Sequence, residues 1–281
     1  MSACLIDGER CASLAVSDRA IHYGDGLFET IAVRDGRIEY WQRHMQRLAQ
    51  GCQRLNMPAL DAALLLSEAR QLIGRARQGI IKIIVSRGAG GRGYRPPPAA
   101  QPRRICAFYP WPQYSLERWQ QGIVLTVCKT PLGLSPALAG MKHLNRLEQI
   151  MGRSEWCDDT IAEGLMLDIH GNVVEGTMSN LFFVRNGQLH TPGLANSGVA
   201  GIIRDVIMDC CQALNIPVYQ NNYPLGDIIA ADELFVTNSV IGVWPVKQLA
   251  EKNYHIGPLT QQLQQALNKH QQQQGEYETV A

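Results

Sequence analysis

The stretch LMLDIHGNVVEGTMSNLFFVRNGQLH, residues 165–190, decides the fold class. Gly171-Asn172 and Asn186-Gly187 each separate two apolar or β-branched runs. Such pairs supply the positive φ angles that tight hairpin turns need. The stretch therefore reads as successive antiparallel strands, with Glu175 at the end of one of them, between the two turns. Working outward, Asp7-Gly8 and Asp35-Gly36 repeat the signal near the N-terminus, so antiparallel sheet is expected in both halves of the chain. Helices interleave with the hairpins. Trp41, Met45, Leu48, Cys52 and Leu55 recur at helical spacing and predict a helix over 41–56, with a second over 60–77. IIKIIVS (80–86) and ICAFY (105–109) read as buried strands. Leu144, Leu147, Ile150 and Met151 predict a helix over 143–153, and Ile202, Ile203, Val206, Ile207 and Cys210 predict one starting near Gly201.

The pattern is α+β in two domains. The stretch PWPQYSLERWQQ (110–121) holds two prolines and little periodicity, which predicts a linker over 113–121. It divides a smaller domain at 1–112 from a larger one at 122–270. The polar end of the chain, with four successive glutamines, predicts a disordered tail over 271–281. RPPPAAQP (95–102) is a Pro-rich loop.

Bulk composition excludes several function classes. With 281 residues, 46% hydrophobic and 18% charged, the chain has the make-up of an ordinary soluble protein large enough for two cores. A net charge of +1 provides no electrostatic attraction to nucleic acid or to an anionic membrane surface. No apolar run approaches the roughly 20 residues of a membrane helix, and MSACLIDGERC has no secretory n-region and h-region, so a cytoplasmic location is expected. The eight cysteines include no CxxC pair, and most lie in apolar runs; they read as buried free thiols. His22, His44 and His143 lack metal-ligand spacing, and no metal is expected. SRGAGGRGY (86–94) is Gly-rich but lacks the Lys-Ser/Thr of a phosphate loop, and no GxSxG elbow is present.

Five features carry possible chemistry. Lys142, in LAGMKHLNRLEQ, follows an apolar, Gly-containing segment; partial desolvation there favours a neutral amine able to form an imine. A solvated lysine at a helix start fits the same local pattern. Glu175 has apolar neighbours on both sides and needs a partner, unless it faces water from a turn. Gly198 and Gly201 precede a helix whose first N–H groups, at Ile202 and Ile203, form a ready anion site, although many helices begin this way and bind nothing. Arg43, Arg47 and Arg54 share the polar side of the 41–56 helix; for Arg43 and Arg54 a solvated face suffices. Asn238 and Ser239 follow a strand and could add amide and hydroxyl donors.

In order along the chain, YGDGLFET (23–30), RHMQRL (43–48), MKHLNRLEQ (141–149), VVEGTMSNLFF (173–183), GVAGIIRD (198–205) and ADELFVTNS (231–239) resemble the branched-chain aminotransferase-like family, the fold type IV pyridoxal-phosphate (PLP) enzymes. The resemblance spans nearly the whole chain. It implies a smaller N-terminal α/β domain, a larger C-terminal domain of barrel-like mixed sheet, PLP as cofactor and a homodimer. It also implies roles: Lys142 as the Schiff-base lysine, Glu175 on the pyridine nitrogen, and Arg47, the Ile202 and Ile203 backbone, Asn238 and Ser239 on the phosphate.

Within the family, SRGAGGRGY (86–94), LAGMKHLNRLEQ (138–149) and SLAVSDRAIHYGDGLFET (13–30) are most similar to the lyase branch. That branch implies an elimination converting 4-amino-4-deoxychorismate to 4-aminobenzoate and pyruvate for folate synthesis. Asn145 and Arg146 stand where branched-chain aminotransferases carry a tyrosine. Arg92, Tyr94 and Tyr109 are the candidates for the substrate carboxylates, with loop solvation or core packing as the other reading. An aminotransferase for D- or branched-chain amino acids is the alternative within the fold. A PLP-binding protein without turnover, and an α+β protein that binds no PLP, are the alternatives outside it.

Overall fold

The computed structural model describes residues 4–11 and 13–274. It divides into two compact units. One runs through Pro112 and takes in Met141–Asn145; the other holds Gln113–Gly140 and Arg146–Gln273.

The first unit contains β1 (Cys4–Ile6), β2 (Glu9–Arg10), α1 (Arg19–Tyr23), β3 (Gly26–Arg34), β4 (Arg37–Ile38), α2 (Trp41–Arg54), α3 (Ala62–Ile73), β5 (Gly79–Ser86) and β6 (Arg103–Tyr109). The strands form one antiparallel sheet in the order β2-β1-β6-β5-β3-β4. The two expected hairpin turns are present: Asp7 and Gly8 have φ of 51° and 87°, Asp35 and Gly36 of 51° and 77°. Period-two burial sets the register, so Ile31 faces Ile81 and Ile83 faces Cys106 in the core. Helix α2 buries Trp41, Met45, Leu48 and Cys52, the face its spacing predicts, and packs on β3. Gly51 permits that approach, because a Cβ there would stand 2.7 Å from Leu27 Cδ1. Helix α3 is capped by Asp61, whose carboxylate accepts from the Ala63 and Leu64 N–H groups. It stops four residues before the expected 77, at Gly74, whose φ of 53° leaves the helix.

The second unit contains α4 (Glu117–Gln120), β7 (Ile123–Val127), α5 (Leu147–Arg153), β8 (Ile161–Leu167), β9 (Asn172–Gly176), β10 (Asn180–Arg185), β11 (Gln188–Pro192), α6 (Ile202–Ala213), β12 (Val218–Asn221), β13 (Tyr223–Pro224), α7 (Leu225–Ile229), β14 (Glu233–Asn238), β15 (Gly242–Leu249), β16 (Lys252–Asn253) and α8 (Pro258–Gln274). Its ten strands run β12-β11-β10-β14-β15-β7-β8-β9-β13, with β16 on β15. The sheet is mixed: β11–β12, β15–β7 and β7–β8 are parallel and the other pairs antiparallel. Both turns of the 165–190 stretch form. Asn186 and Gly187 take φ of 52° and 73°, and Asp168 holds the other turn by accepting from the His170 and Asn172 N–H groups. Trp244, Phe183, Leu234, Val236 and Leu249 lie at the centre of the core.

Three boundaries differ from those expected. Residues 113–121 are not a linker. Tyr114 and Trp119 pack edge-on against Trp244, and Trp119 Nε1 donates to Ile241 O at 2.7 Å, so aromatic burial ties this stretch into the second unit. The helix expected over 143–153 begins only at Leu147. Residues 142–144 instead lie along β3: the Phe28 N–H donates to Lys142 O at 2.9 Å and the Leu144 N–H to Gly26 O at 3.0 Å. This places the lysine segment with the first unit rather than inside a continuous domain at 122–270. The tail expected from 271 is helical through Gln274, since α8 continues into residues that favour helix; residues 275–281 lie outside the described residues.

Candidate functional site

In the first unit, Lys142 is half-buried. Its Nζ stands 4.5 Å above the centroid of the Phe28 ring. The next residue of β3, Glu29, is 1% exposed and holds a polar cluster. Arg47 donates to it bidentately, from Nε at 2.8 Å and Nη2 at 2.5 Å, and His44 Nδ1 lies 2.6 Å from Oε2. Burial pushes the Glu29 carboxyl up, but the Arg47 guanidinium and the His44 ring outweigh it and hold it down at about 2. Burial pushes the His44 pKa down, against the pull of Glu29. Arg47 thus leaves the solvated stripe it shares with Arg43 and Arg54, and Glu29 fixes its guanidinium.

A depressed carboxylate contributes stability that is present above its unfolded pKa and lost as pH falls through the folded one. Glu29→Gln is therefore expected to be less stable than wild type at pH 7. The gap should narrow between pH 4.5, where the carboxyl of the unfolded chain takes up its proton, and about 2, where that of the folded protein does. Melting temperatures of both proteins across that range check this; a constant gap would contradict the assigned ionisation.

In the second unit, Glu175 is 4% exposed at the end of β9. The Val199 N–H donates to its Oε2 at 2.8 Å, and Gln149 Nε2 approaches Oε1 at 3.5 Å. The segment that donates from Val199 leads into α6. Gly198 has φ of 83°, and its N-terminal neighbours leave room for nothing larger: a Cβ there would meet Leu194 Cδ2 at 2.7 Å and Val174 Cγ1 at 2.9 Å. Gly201 is the N-cap of α6 and no side chain caps the helix, so the N–H groups of Ile202 and Ile203 are presented by backbone alone while their side chains are buried. Gly140, two residues before Lys142 in the chain, bonds to this segment in both directions, Gly140 N–H to Gly198 O and Ala200 N–H to Gly140 O. Asn238 ends β14. Its Nδ2 donates to Met178 O at 3.1 Å and its Oδ1 accepts from the Val240 and Ile241 N–H groups, so its amide shapes the turn that carries Ser239.

The substrate candidates separate. Arg92 and Tyr94 are exposed on the loop after β5. Buried Arg19 anchors that loop, donating to Gly93 O at 3.0 Å and Tyr94 O at 3.1 Å while its Nε pairs with Asp25. Tyr109 does not join them. It pairs with Ile80, whereas Phe28, beside the lysine, pairs with Ile84. Four residues of strand, about 13 Å, lie between those positions.

Glu29 and His44 were not foreseen as site residues. The signal was available: Leu27, Glu29 and Ile31 alternate on one face of β3, which puts a carboxylate among core side chains. Among the described residues, no group of three His, Cys, Asp or Glu side chains could hold a metal ion, and no helix is long and apolar enough to cross a membrane.

The donor set suits PLP, which offers an aldehyde, a ring nitrogen and a phosphate. Lys142 supplies an amine, Glu175 a buried carboxylate, the uncapped start of α6 a pair of N–H donors, and Arg47 an oriented guanidinium.

Comparison with known proteins points the same way. Residues 26–249 match the Amino-transferase class IV family. The aminodeoxychorismate lyase of Vibrio harveyi is 36% identical over 267 residues, covering 94% of this chain and 98% of that protein. The crystal structure of 4-amino-4-deoxychorismate lyase from Pseudomonas aeruginosa superposes with a TM-score of 0.91 at 45% identity, covering 95% of this chain and 98% of that one. That of the Escherichia coli branched-chain amino acid aminotransferase superposes with a TM-score of 0.90 at 26% identity, covering 99% of each. The chain belongs to the class IV aminotransferase family, the PLP-dependent enzymes of fold type IV.

Proposed function

We propose that this protein is a 4-amino-4-deoxychorismate lyase, releasing 4-aminobenzoate and pyruvate. One contrast carries the reading. The P. aeruginosa lyase and the E. coli aminotransferase match this backbone equally well, at TM-scores of 0.91 and 0.90, yet the lyase shares 45% of aligned residues and the aminotransferase 26%. Equal fold with unequal identity favours the lyase, because side chains and not the backbone trace select the reaction.

PLP, when bound, supplies a protonated ring that takes up the electrons released as a C–H bond beside nitrogen breaks. The protein's own residues do the rest. Lys142 Nζ acts as general base on the substrate carbon that bears the amino group. Loss of the enolpyruvyl oxygen substituent then makes the six-membered ring aromatic, which drives the elimination. The proton held on Lys142 returns to the departing enolpyruvate carbon, giving pyruvate. Glu175 holds a proton at the cofactor's ring nitrogen. Arg47, the Ile202 and Ile203 N–H groups and the Asn238–Ser239 turn bind the phosphate. Arg92, Tyr94 and Tyr109 are the candidates for the substrate's carboxylates. The finer features of this reading, a homodimer in the cytoplasm serving folate synthesis, are supported by the family resemblance.

The test is direct. Purified holoenzyme mixed with 4-amino-4-deoxychorismate should yield 4-aminobenzoate and pyruvate in equal amounts without added keto acid. A PLP-loaded protein that makes neither, and transfers amino groups to a keto acid instead, would replace the lyase by an aminotransferase.

A further inference from the structure

One buried carboxylate has no part in these steps. Glu163, on β8, is 1% exposed, and its two oxygens collect five hydrogen bonds. Oε1 accepts from the Gly164 N–H at 2.9 Å, the Thr177 N–H at 3.0 Å and the Thr177 hydroxyl at 2.6 Å. Oε2 accepts from the Met178 N–H at 3.2 Å and the Ser179 hydroxyl at 2.7 Å. Four of the five come from Thr177–Ser179, the turn joining β9 to β10. The turn closes tightly around the carboxylate. Its Gly176 N–H donates to Ser179 O at 2.7 Å, and a Cβ on Gly176 would stand 2.9 Å from the Glu163 carboxyl carbon.

The cofactor contacts proposed for the second unit leave from this turn, bond to it, or bond to the residues that flank it. Glu175 is two residues before Thr177. Asn180 immediately follows Ser179; its Nδ2 donates to Val199 O at 2.9 Å, and its Oδ1 would stand only 2.0 Å from a Cβ at Gly201, the cap of α6. The Val199 N–H closes the ring of bonds on Glu175. Met178 O receives Asn238 Nδ2. The pyridine-nitrogen partner, the phosphate-facing helix start and the Asn238 turn are therefore referenced to the Thr177–Ser179 turn and the residues on either side of it, and that turn to one carboxylate.

We propose that Glu163 is a positioning residue for the cofactor: by fixing the Thr177–Ser179 turn, it sets Glu175, the start of α6 and Asn238 in register with one another. The proposal rests on the reading that those three meet PLP. In Glu163→Gln the amide nitrogen opposes at least one backbone N–H, since both carboxylate oxygens accept one. Ser179→Ala removes a single hydroxyl bond and is the milder variant. Glu233→Gln is the control. Glu233 is also buried and accepts from the Thr260 N–H and hydroxyl, but it anchors α8 and contacts no proposed cofactor residue.

The measurements are the PLP dissociation constant and the pH midpoint of the bound cofactor's visible band, taken well below each variant's melting temperature. Glu163→Gln should weaken PLP binding at least tenfold and move the midpoint. Ser179→Ala should do the same to a smaller extent, and Glu233→Gln should lower the melting temperature while leaving both unchanged. Wild-type binding and midpoint in Glu163→Gln overturn the proposal, as they do in Ser179→Ala if Glu163→Gln does not fold. Glu233→Gln weakening PLP as much as Glu163→Gln overturns it too, by making the effect one of general stability. A wild type that binds PLP but forms no 4-aminobenzoate removes the lyase reading alone and leaves this test intact. A wild type that binds no PLP removes both.

Discussion

Lys142→Ala loses at least about ten-thousand-fold in turnover, the upper range for a single acid–base group, because the same amine also anchors the cofactor. The fold gives little reason for the variant to unfold. Lys142 is half-buried, and its Nζ stands 4.5 Å from the centroid of the Phe28 ring, an interaction worth about 0.5–1 kcal/mol at a partly exposed site. The backbone bonds that align 142–144 with β3, Phe28 N–H to Lys142 O and Leu144 N–H to Gly26 O, use no side-chain atom and survive the substitution. The melting temperature of the apo protein should therefore stay within a few degrees of wild type while activity disappears. Two further readouts separate chemistry from stability. Wild type should show a visible absorption band and, after borohydride reduction, carry PLP on the peptide containing Lys142. The alanine variant should show neither. Full activity, or a retained label, would remove Lys142 from the mechanism.

Much of this architecture could be read from local residue patterns, and the failures share one cause. The turns at Asp7-Gly8, Asp35-Gly36 and Asn186-Gly187 were legible because positive φ is a local demand that only a few residue types meet. Helices α2 and α6 were legible because each buries one apolar stripe. The residues around Lys142 misled. Leu144, Leu147, Ile150 and Met151 have helical spacing, but residues 142–144 are claimed by the open flank of β3, more than a hundred positions earlier, and Leu147, Ile150 and Met151 are more than half exposed. Residues 113–121 misled for the mirror-image reason: two prolines suggest a linker, while Tyr114 and Trp119 find Trp244 far along the chain. The site followed the same division. Lys142, Glu175 and Gly201 stand out in their own segments. Glu29, His44 and Glu163 do not, because their significance lies in partners at the other ends of hydrogen bonds spanning 14 to 18 residues.

Glu175→Gln should cut kcat by about a hundredfold to a thousandfold, the range for removing one preorganised electrostatic group, while raising the PLP dissociation constant by less than tenfold. The reason lies in what glutamine preserves. Its amide oxygen can still accept the Val199 N–H that Oε2 now receives at 2.8 Å, and its NH₂ takes the place of Oε1. There Gln149 presents its Nε2, and its own Oε1 is buried with no hydrogen-bond partner, so a turn of the Gln149 amide turns a clash of donors into a bond. The loop into α6 thus keeps its anchor, and phosphate binding through Ile202 and Ile203 is undisturbed. What glutamine removes is the negative charge. Burial pushes the pKa of nearby Arg146 down, and Glu175 pulls it back up. At the ring nitrogen that charge is needed most when the ring accepts electrons, which happens in the transition state and not in the resting complex. A loss concentrated in kcat therefore identifies Glu175 as an electrostatic partner of the ring. Equal losses in kcat and in PLP affinity would identify it as the anchor of the Val199 loop alone, and the proton at the ring nitrogen would need another holder.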